Sequence, residues 1–226
     1  MKRIWHISDT HTYHEQLTIP EDIDIVVFSG DCSNPKDAFE NEPQVRKFIS
    51  WYKNLPIKYK IFVAGNHDTS IEKRLVTGSD FDGIIYLENE HVTIEGIKFF
   101  GSPNQPTFGT GWSFNKAREK LDRHWSMVDD DVDVFIVHGP PKTILDAAYN
   151  PHNGVLENCG CNALKRHLLE RIKPKLCLFG HMHNNKDIIN AGTLKLSAHI
   201  TVFSNGSVVT DKLFGQLTSN GNILEI

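Results

Sequence analysis

Apolar residues in this chain come in short runs, and each run stops at a polar turn. Lys2–Ile7 stops at Ser8-Asp9-Thr10-His11, Ile23–Phe28 at Ser29-Gly30-Asp31, and Lys58–Ala64 at Gly65-Asn66-His67-Asp68. Val132–Val137 stops at His138-Gly139-Pro140-Pro141, and Leu176–Phe179 at Gly180-His181-Met182-His183. Runs of this length read as strands, several of them dense enough to be covered on both faces, the condition of a parallel sheet. Between the second and third, Phe39, Val45, Phe48, Ile49, Trp51 and Tyr52 recur at helical spacing over 37–54, before Pro56. Strand, helix and strand in that order predict a right-handed parallel crossover.

The pattern continues with a short helix over 69–76 and strands over 84–87, 92–94 and 97–100, the last two turned at Glu95-Gly96. A loop rich in Gly, Pro and aromatics follows over 102–113, then helices over 115–127 and 162–172, the second stopped by Pro174. Strands over 199–203 and 208–212 flank Asn205-Gly206, a strong hairpin signal. No linker or internal repeat divides the 226 residues, so one domain over 1–226 with a sizeable core is expected.

Composition narrows the class. Hydrophobic content of 39% and charged content of 23% are those of a soluble globular protein. A net charge of -4 and a pI near 6.3 argue against broad nucleic-acid binding, which needs clustered cations. No apolar run reads as a signal peptide or a membrane span, so a cytoplasmic protein with no membrane partner is expected. In that compartment Cys32, Cys159, Cys161 and Cys177 are expected as free thiols, and the Asn205-Gly206-Ser207 sequon is idle.

The chemistry lies at the five strand ends. Asp9 and His11, Asp31, Asn66 and His67, His138, and His181 with His183 each follow an apolar run. Strand ends along one edge of an α/β sheet converge on a ligand site. Carboxylates, an amide oxygen and several imidazoles together suit borderline divalent metals such as Mn, Fe, Zn, Co or Ni. The donors are too many for one ion and enough for two, if one carboxylate bridges. Two divalent ions balanced by two aspartates and a shared hydroxide retain positive charge, which favours an anionic phosphate, and such a pair clamps attacking and leaving oxygens. A histidine near the leaving oxygen serves as general acid. His67 is the candidate, with Asp68 expected to hold its ring.

In order, Asp9-Thr10-His11, Gly30-Asp31, Gly65-Asn66-His67-Asp68, Val137-His138 and Gly180-His181-Met182-His183 resemble the signature blocks of the calcineurin-like metallophosphoesterases. That resemblance implies a four-layer α-β-β-α sandwich with mixed sheets. It implies that Asp9, His11 and His183 bind one metal, Asn66, His138 and His181 the other, that Asp31 bridges, and that His67 with Asp68 is catalytic. Gly101-Ser102-Pro103-Asn104-Gln105-Pro106 and His138-Gly139-Pro140-Pro141, with Gly160-Cys161, are similar to the brain-type phosphodiesterase subgroup and its bacterial relatives. The implied activity is hydrolysis of a small phosphodiester such as a cyclic nucleotide, with two cations, Mn2+ foremost. A phosphomonoesterase or phosphoprotein phosphatase, or a non-catalytic scaffold of this fold, are the alternatives. The protein-phosphatase Asp-Arg-Gly after Gly30-Asp31 is missing, and after Asn184 the resemblance thins.

Other candidates are read more plainly. Phe108, Trp112 and Phe114 are either a stacking wall for a nucleobase or plugs beneath the loop. His6 is expected as a satisfied core histidine, His14 as a phosphate contact or a solvated side chain, and His124 on an exposed helix face. His152 is expected away from the site mouth, and Asp129-Asp130-Asp131 as a solvated charge run.

Overall fold

The computed structural model describes residues 1–185, 187–210 and 215–226. The expected strands form as β1 (Arg3–Ile7), β2 (Ile25–Phe28), β3 (Tyr59–Phe62) and β4 (Ile85–Tyr86), with helix α1 (Ala38–Lys53) between β2 and β3 and helix α2 (Thr69–Glu72) after β3. The hairpin β5 (Glu90–Ile94) and β6 (Ile97–Ser102) follows. Next come β7 (Gln105–Pro106), β8 (Asn115–Lys116), α3 (Arg118–Ser126) and β9 (Val134–Val137). The rest of the chain forms β10 (Ala147–Tyr149), β11 (Leu156–Asn158), α4 (Asn162–Arg166), β12 (Leu176–Phe179), β13 (Gly192–Lys195), β14 (Val202–Asn205) and β15 (Asn222–Glu225).

These strands make two main mixed sheets, ordered β15-β1-β2-β3-β4 and β13-β14-β12-β9-β6-β5. β1, β2, β3 and β4 run parallel, as do β6, β9, β12 and β14, while β15, β13 and β5 are antiparallel edges. Strand periodicity sorts the side chains into layers. Trp5, Ile7, Val26, Phe28 and Phe62 turn outward to Val45, Phe48 and Tyr52 of α1. Ile4, Ile25, Val27 and Ile61 turn inward and meet Phe99, Val134, Ile136 and Leu178 of the second sheet. That sheet's other face, with Phe135 and Cys177, packs on Leu121 and Trp125 of α3 and Leu164 of α4. Three cores between four layers are the α-β-β-α sandwich. The five ligand-bearing strand ends are therefore divided, three in the first sheet and two in the second.

α1 begins where Asp37 caps it, its carboxylate accepting from the amides of Phe39 at 2.9 Å and Glu40 at 3.1 Å. His6 is a satisfied core histidine between the sheets, 2.8 Å from Ser204 Oγ and 2.9 Å from Ser29 Oγ.

Several expectations are corrected. The helix placed at 115–127 starts three residues later, because Asn115–Lys116 returns to pair in parallel with Gln105–Pro106. Residues 162–172 start as an α-helix and continue as a wider π-helical turn over His167–Ile172. Asn205-Gly206 turns no hairpin. β14 instead pairs with β13 and β12, and the chain then crosses to the first sheet, where Ser207 bridges Ser8. Gly206 is needed because a Cβ there would meet the His6 ring at 2.8 Å. Part of the strand expected at 208–212 falls outside the described residues, and β7, β8, β10, β11, β13 and β15 are strands that the sequence pattern does not predict. The sequon is closed to modification because Asn205 is fully buried.

Phe48 sits at the hub of the outer aromatic layer, 4.3 Å from Phe28, 5.3 Å from Tyr52 and 5.7 Å from Phe62 between ring centroids. Phe48→Ala is expected to cost about 3–5 kcal/mol in urea denaturation. A loss below about 1 kcal/mol would mean that α1 does not depend on this layer.

Candidate active site

The turns after β1, β2, β3, β9 and β12 meet at one edge. Asp9, His11 and His183 form one group of donor atoms, all within 4.8 Å of one another, and Asp31, His138 and His181 form a second. A third, His11, Asp31 and His67, joins them. Asp31 Oδ2 lies 3.3 Å from His138 Nε2 and 4.0 Å from His11 Nε2, between the two groups. Asn66 Oδ1 is 2.9 Å from His138 Nε2. His183 Nε2 is 3.2 Å from Asp9 Oδ1 and 3.3 Å from His11 Nε2.

Backbone geometry aims these groups at some cost. Asp9 (φ 52°), His11 (φ 41°), Asp31 (φ 64°) and His181 (φ 68°) all adopt the left-handed conformation. For residues with a Cβ this costs on the order of 1–2 kcal/mol each. At Gly180 any side chain would collide with Ser8 Oγ and the Asp9 carboxylate, so only glycine lets β12 approach β1 there.

Ring orientation follows from carbonyl acceptors. His11 Nδ1 donates to Ser33 O at 3.0 Å and to Asn34 Oδ1 at 2.9 Å, and His138 Nδ1 donates to Ser29 O at 2.8 Å. With Nδ1 carrying the proton, Nε2 of each ring faces the other donors, the arrangement usual for metal-bound histidine. Burial pushes His11 down to about 4 and His181 to about 3, so both imidazoles are neutral and able to ligate. Burial also penalises His138, but Asp31 beside it raises its pKa to about 9. Asp9 is held at about 2, its burial outweighed by the His183 hydrogen bond and charge. Asp31 is held well below the usual range in the same way, chiefly by His138. Lone pairs and carboxylates turned toward one another in a buried site fit two cations. Asp9, His11 and His183 could hold one, Asn66, His138 and His181 the other, with Asp31 shared.

His67 is half-buried beside these donors. Its Nδ1 donates to the main-chain carbonyl of Asn34 at 2.9 Å, and its ring packs on His11 at 4.7 Å and Trp112 at 4.2 Å. Asp68 does not orient it, contrary to expectation. The Asp68 carboxylate is fully buried. It accepts from the amides of Gly65 at 2.7 Å, Asp31 at 2.9 Å and Cys32 at 3.0 Å, and from Ser33 Oγ at 3.1 Å. Asp68 is thus a clasp between two turns, and Asn34 takes the orienting place. The sequence hint was Asn34 itself, a polar residue three places after Asp31.

Phe108 lies over His181 at 4.7 Å. Phe114 is no stacking wall, since it is buried in the core under α1. His14 is neither a phosphate contact nor solvated. It is buried against Phe48 and Trp51, each 5.2 Å away. His124 is half-buried with Nε2 3.3 Å from Ser102 Oγ, whereas His152 is exposed. Asn190 and Asn205, unanticipated, hold the last ligand turn by donating to the carbonyls of His183 at 3.0 Å and Met182 at 2.9 Å.

A sequence profile of calcineurin-like phosphoesterases matches residues 2–185. Human metallophosphoesterase domain-containing protein 1 is 30% identical over 229 residues, which cover 90% of this chain and 65% of that protein. A UPF0046 protein of Caenorhabditis elegans is 33% identical over 201 residues, covering 82% of this chain and 65% of that protein. The chain thus spans about two thirds of the length of these curated relatives. One solved crystal structure superposes with a TM-score of 0.62 over 90% of each chain, at 15% identity, a likeness of fold alone.

Two predictions follow from the geometry. Asn34→Ala removes one of the two acceptors of His11 Nδ1 and should weaken metal affinity about tenfold in a metal titration, the low end for such partners. Unchanged affinity would leave Ser33 O as sufficient. Separately, metal-stripped protein should lose stability as pH rises from about 6.5 through 9. His138 is protonated in the fold but not in the unfolded chain over that window, a contribution on the order of 3 kcal/mol. Chemical denaturation at pH 6.5 and 9.5 measures it, and His138→Gln should flatten the alkaline limb.

Proposed function

This chain belongs to the calcineurin-like phosphoesterase family, and from that premise we propose a cytoplasmic phosphodiesterase. It loads two divalent cations, Mn2+ foremost, and cleaves a small phosphodiester of nucleotide type. The observation that carries the reading is the pair of donor groups with Asp31 between them, and a half-buried imidazole at their margin. When bound, such cations supply Lewis-acid polarisation of phosphoryl oxygen and a water acidified toward neutral pH. Asp9 and Asp31 carry the fixed negative charge that retains them, the His11 and His181 imidazoles are already neutral, and His138 would give up its proton on loading.

His67 is the group that handles the proton. Asn34 O holds its Nδ1–H, so Nε2 is the nitrogen that delivers a proton to the leaving oxygen. Trp112 and His11 keep the ring from turning, so this proton is presented from one direction. General acids of this kind are worth about 10²–10⁴-fold, most where the leaving group is a poor one. An alkoxide leaving from a nucleotide diester needs that help more than an aryl oxide does.

The test compares bis-p-nitrophenyl phosphate with p-nitrophenyl phosphate on Mn2+-loaded protein, and a nucleotide diester on the His67→Ala variant. The diester is expected to be hydrolysed faster than the monoester. His67→Ala should keep its metal content and lose about 10²–10⁴-fold in kcat on the nucleotide, and less on the aryl diester. Faster monoester hydrolysis overturns the diesterase reading, and no hydrolysis of either favours a binding scaffold.

A further inference from the structure

Two aromatic rings overhang the donor groups, and their surroundings differ. Trp112 is already engaged. The Lys36 ammonium stands 3.9 Å from its ring centroid and also donates to Thr110 O at 3.4 Å, while the His67 ring is 4.2 Å away. Those contacts make Trp112 a packing partner of His67, and the cleft that Trp112 borders, lined by Lys36, Glu72 and Lys73, includes none of the donor groups. Phe108 instead borders a cleft of about 460 Å³ that opens beside His181. Clefts of about 300–1,000 Å³ are the usual size for small-molecule sites.

The walls of this cleft have a definite chemistry. Pro106, Phe108, Pro140 and Met182 give it apolar surface next to His181, and Ala148 on β10 forms part of the outer wall. Most polar lining groups are spent on the protein. Arg118 donates to the carbonyls of Cys159 and Gly160 at 3.0 and 3.2 Å, Asn158 donates to Asp146 at 2.6 Å, and Glu157 accepts from Asn150 at 3.0 Å. Among the described residues that line the cleft, Arg118 is committed to those two carbonyls, whereas the Lys142 side chain has neither an ion pair nor a hydrogen bond. Gln105, also in the wall, is 1% exposed and its Oε1 has no hydrogen-bond partner.

We infer that this cleft, contiguous with the donor groups through His181, receives the flat heteroaromatic part of the phosphodiester. Phe108 offers it an apolar face and Lys142 a donor for an acceptor on its edge. Apolar walls with one uncommitted cation suit a ring that carries carbonyl or ring-nitrogen acceptors. Specificity is thereby separated from chemistry. The Trp112 side holds the proton donor, and the Phe108 side chooses the ester. The inference rests on the proposed phosphate site but is read by equilibrium binding.

The probes are adenosine 5′-monophosphate and ribose 5-phosphate, titrated calorimetrically into Mn2+-loaded protein. They share the phosphate and the sugar and differ in the base. The nucleotide is expected to bind at least about tenfold more tightly. Ala148→Trp, which fills the cleft, should bring the two within about threefold while leaving ribose 5-phosphate unchanged, which also certifies the fold. Lys142→Met, a substitution at a solvent-reachable position, should reduce the preference by about three- to tenfold without touching the donors. Equal affinities in the unaltered protein, or a preference that survives both variants, would overturn the inference. A preserved preference without diester hydrolysis removes the diesterase reading and leaves the cleft, whereas hydrolysis without the preference removes the cleft alone.

Discussion

The buried carboxylate of Asp68 is the constraint on which the site depends. β2 and β3 are neighbours in one sheet, yet the turns that follow them are loops whose backbone amides have no strand to pair with. Asp68 gathers amides from both, Gly65 from one side and Asp31 and Cys32 from the other. A charged acceptor satisfying several buried N–H groups is among the stronger neutral-to-ion contacts available to a fold. Through it the position of Asp31 becomes tied to that of Asn66 and His67, and the Asp31 carboxylate returns the contact by accepting from the His67 amide at 2.7 Å.

A second carboxylate does the same across the two sheets. Asp9, at the end of β1, accepts from the His181 amide at 2.9 Å at the end of β12. The sandwich is thus stitched at its ligand edge by the same groups that would hold cations. Left-handed backbone at four of the ligands and like charges buried close together both oppose folding, and cations would relieve the second. Such a site is expected to be less stable empty than loaded, since binding to the fold alone adds to stability.

Much of this was legible in the chain. The five apolar runs and their polar turns hold the residues of the three donor groups found among the described residues, because a buried strand and its terminal turn are both local features. The division of those turns between two sheets was not readable from periodicity, since inward and outward residues of a doubly covered strand are equally apolar. Asn205-Gly206 misled because turn chemistry is local while β14 is claimed by β12 and β13, so tertiary pairing overrode it. Adjacency in sequence pairs Asp68 with His67, but the Asp68 carboxylate turns to the amides of Gly65, Asp31 and Cys32, and the main-chain carbonyl of Asn34 is a partner that no residue type announces. β10, β11 and β15 are short edge or hairpin strands with weak patterns, visible only once the fold supplies their partners.

The central claim is that these residues make one shared site for two cations, with Asp31 common to both. Metal titration of EDTA-stripped protein, unaltered and as Asp31→Asn, tests it most directly. The account predicts two Mn2+ per chain for the unaltered protein, and a variant in which both sites weaken together. A single ion per chain, or a variant that loses one site and keeps the other at full affinity, would contradict it.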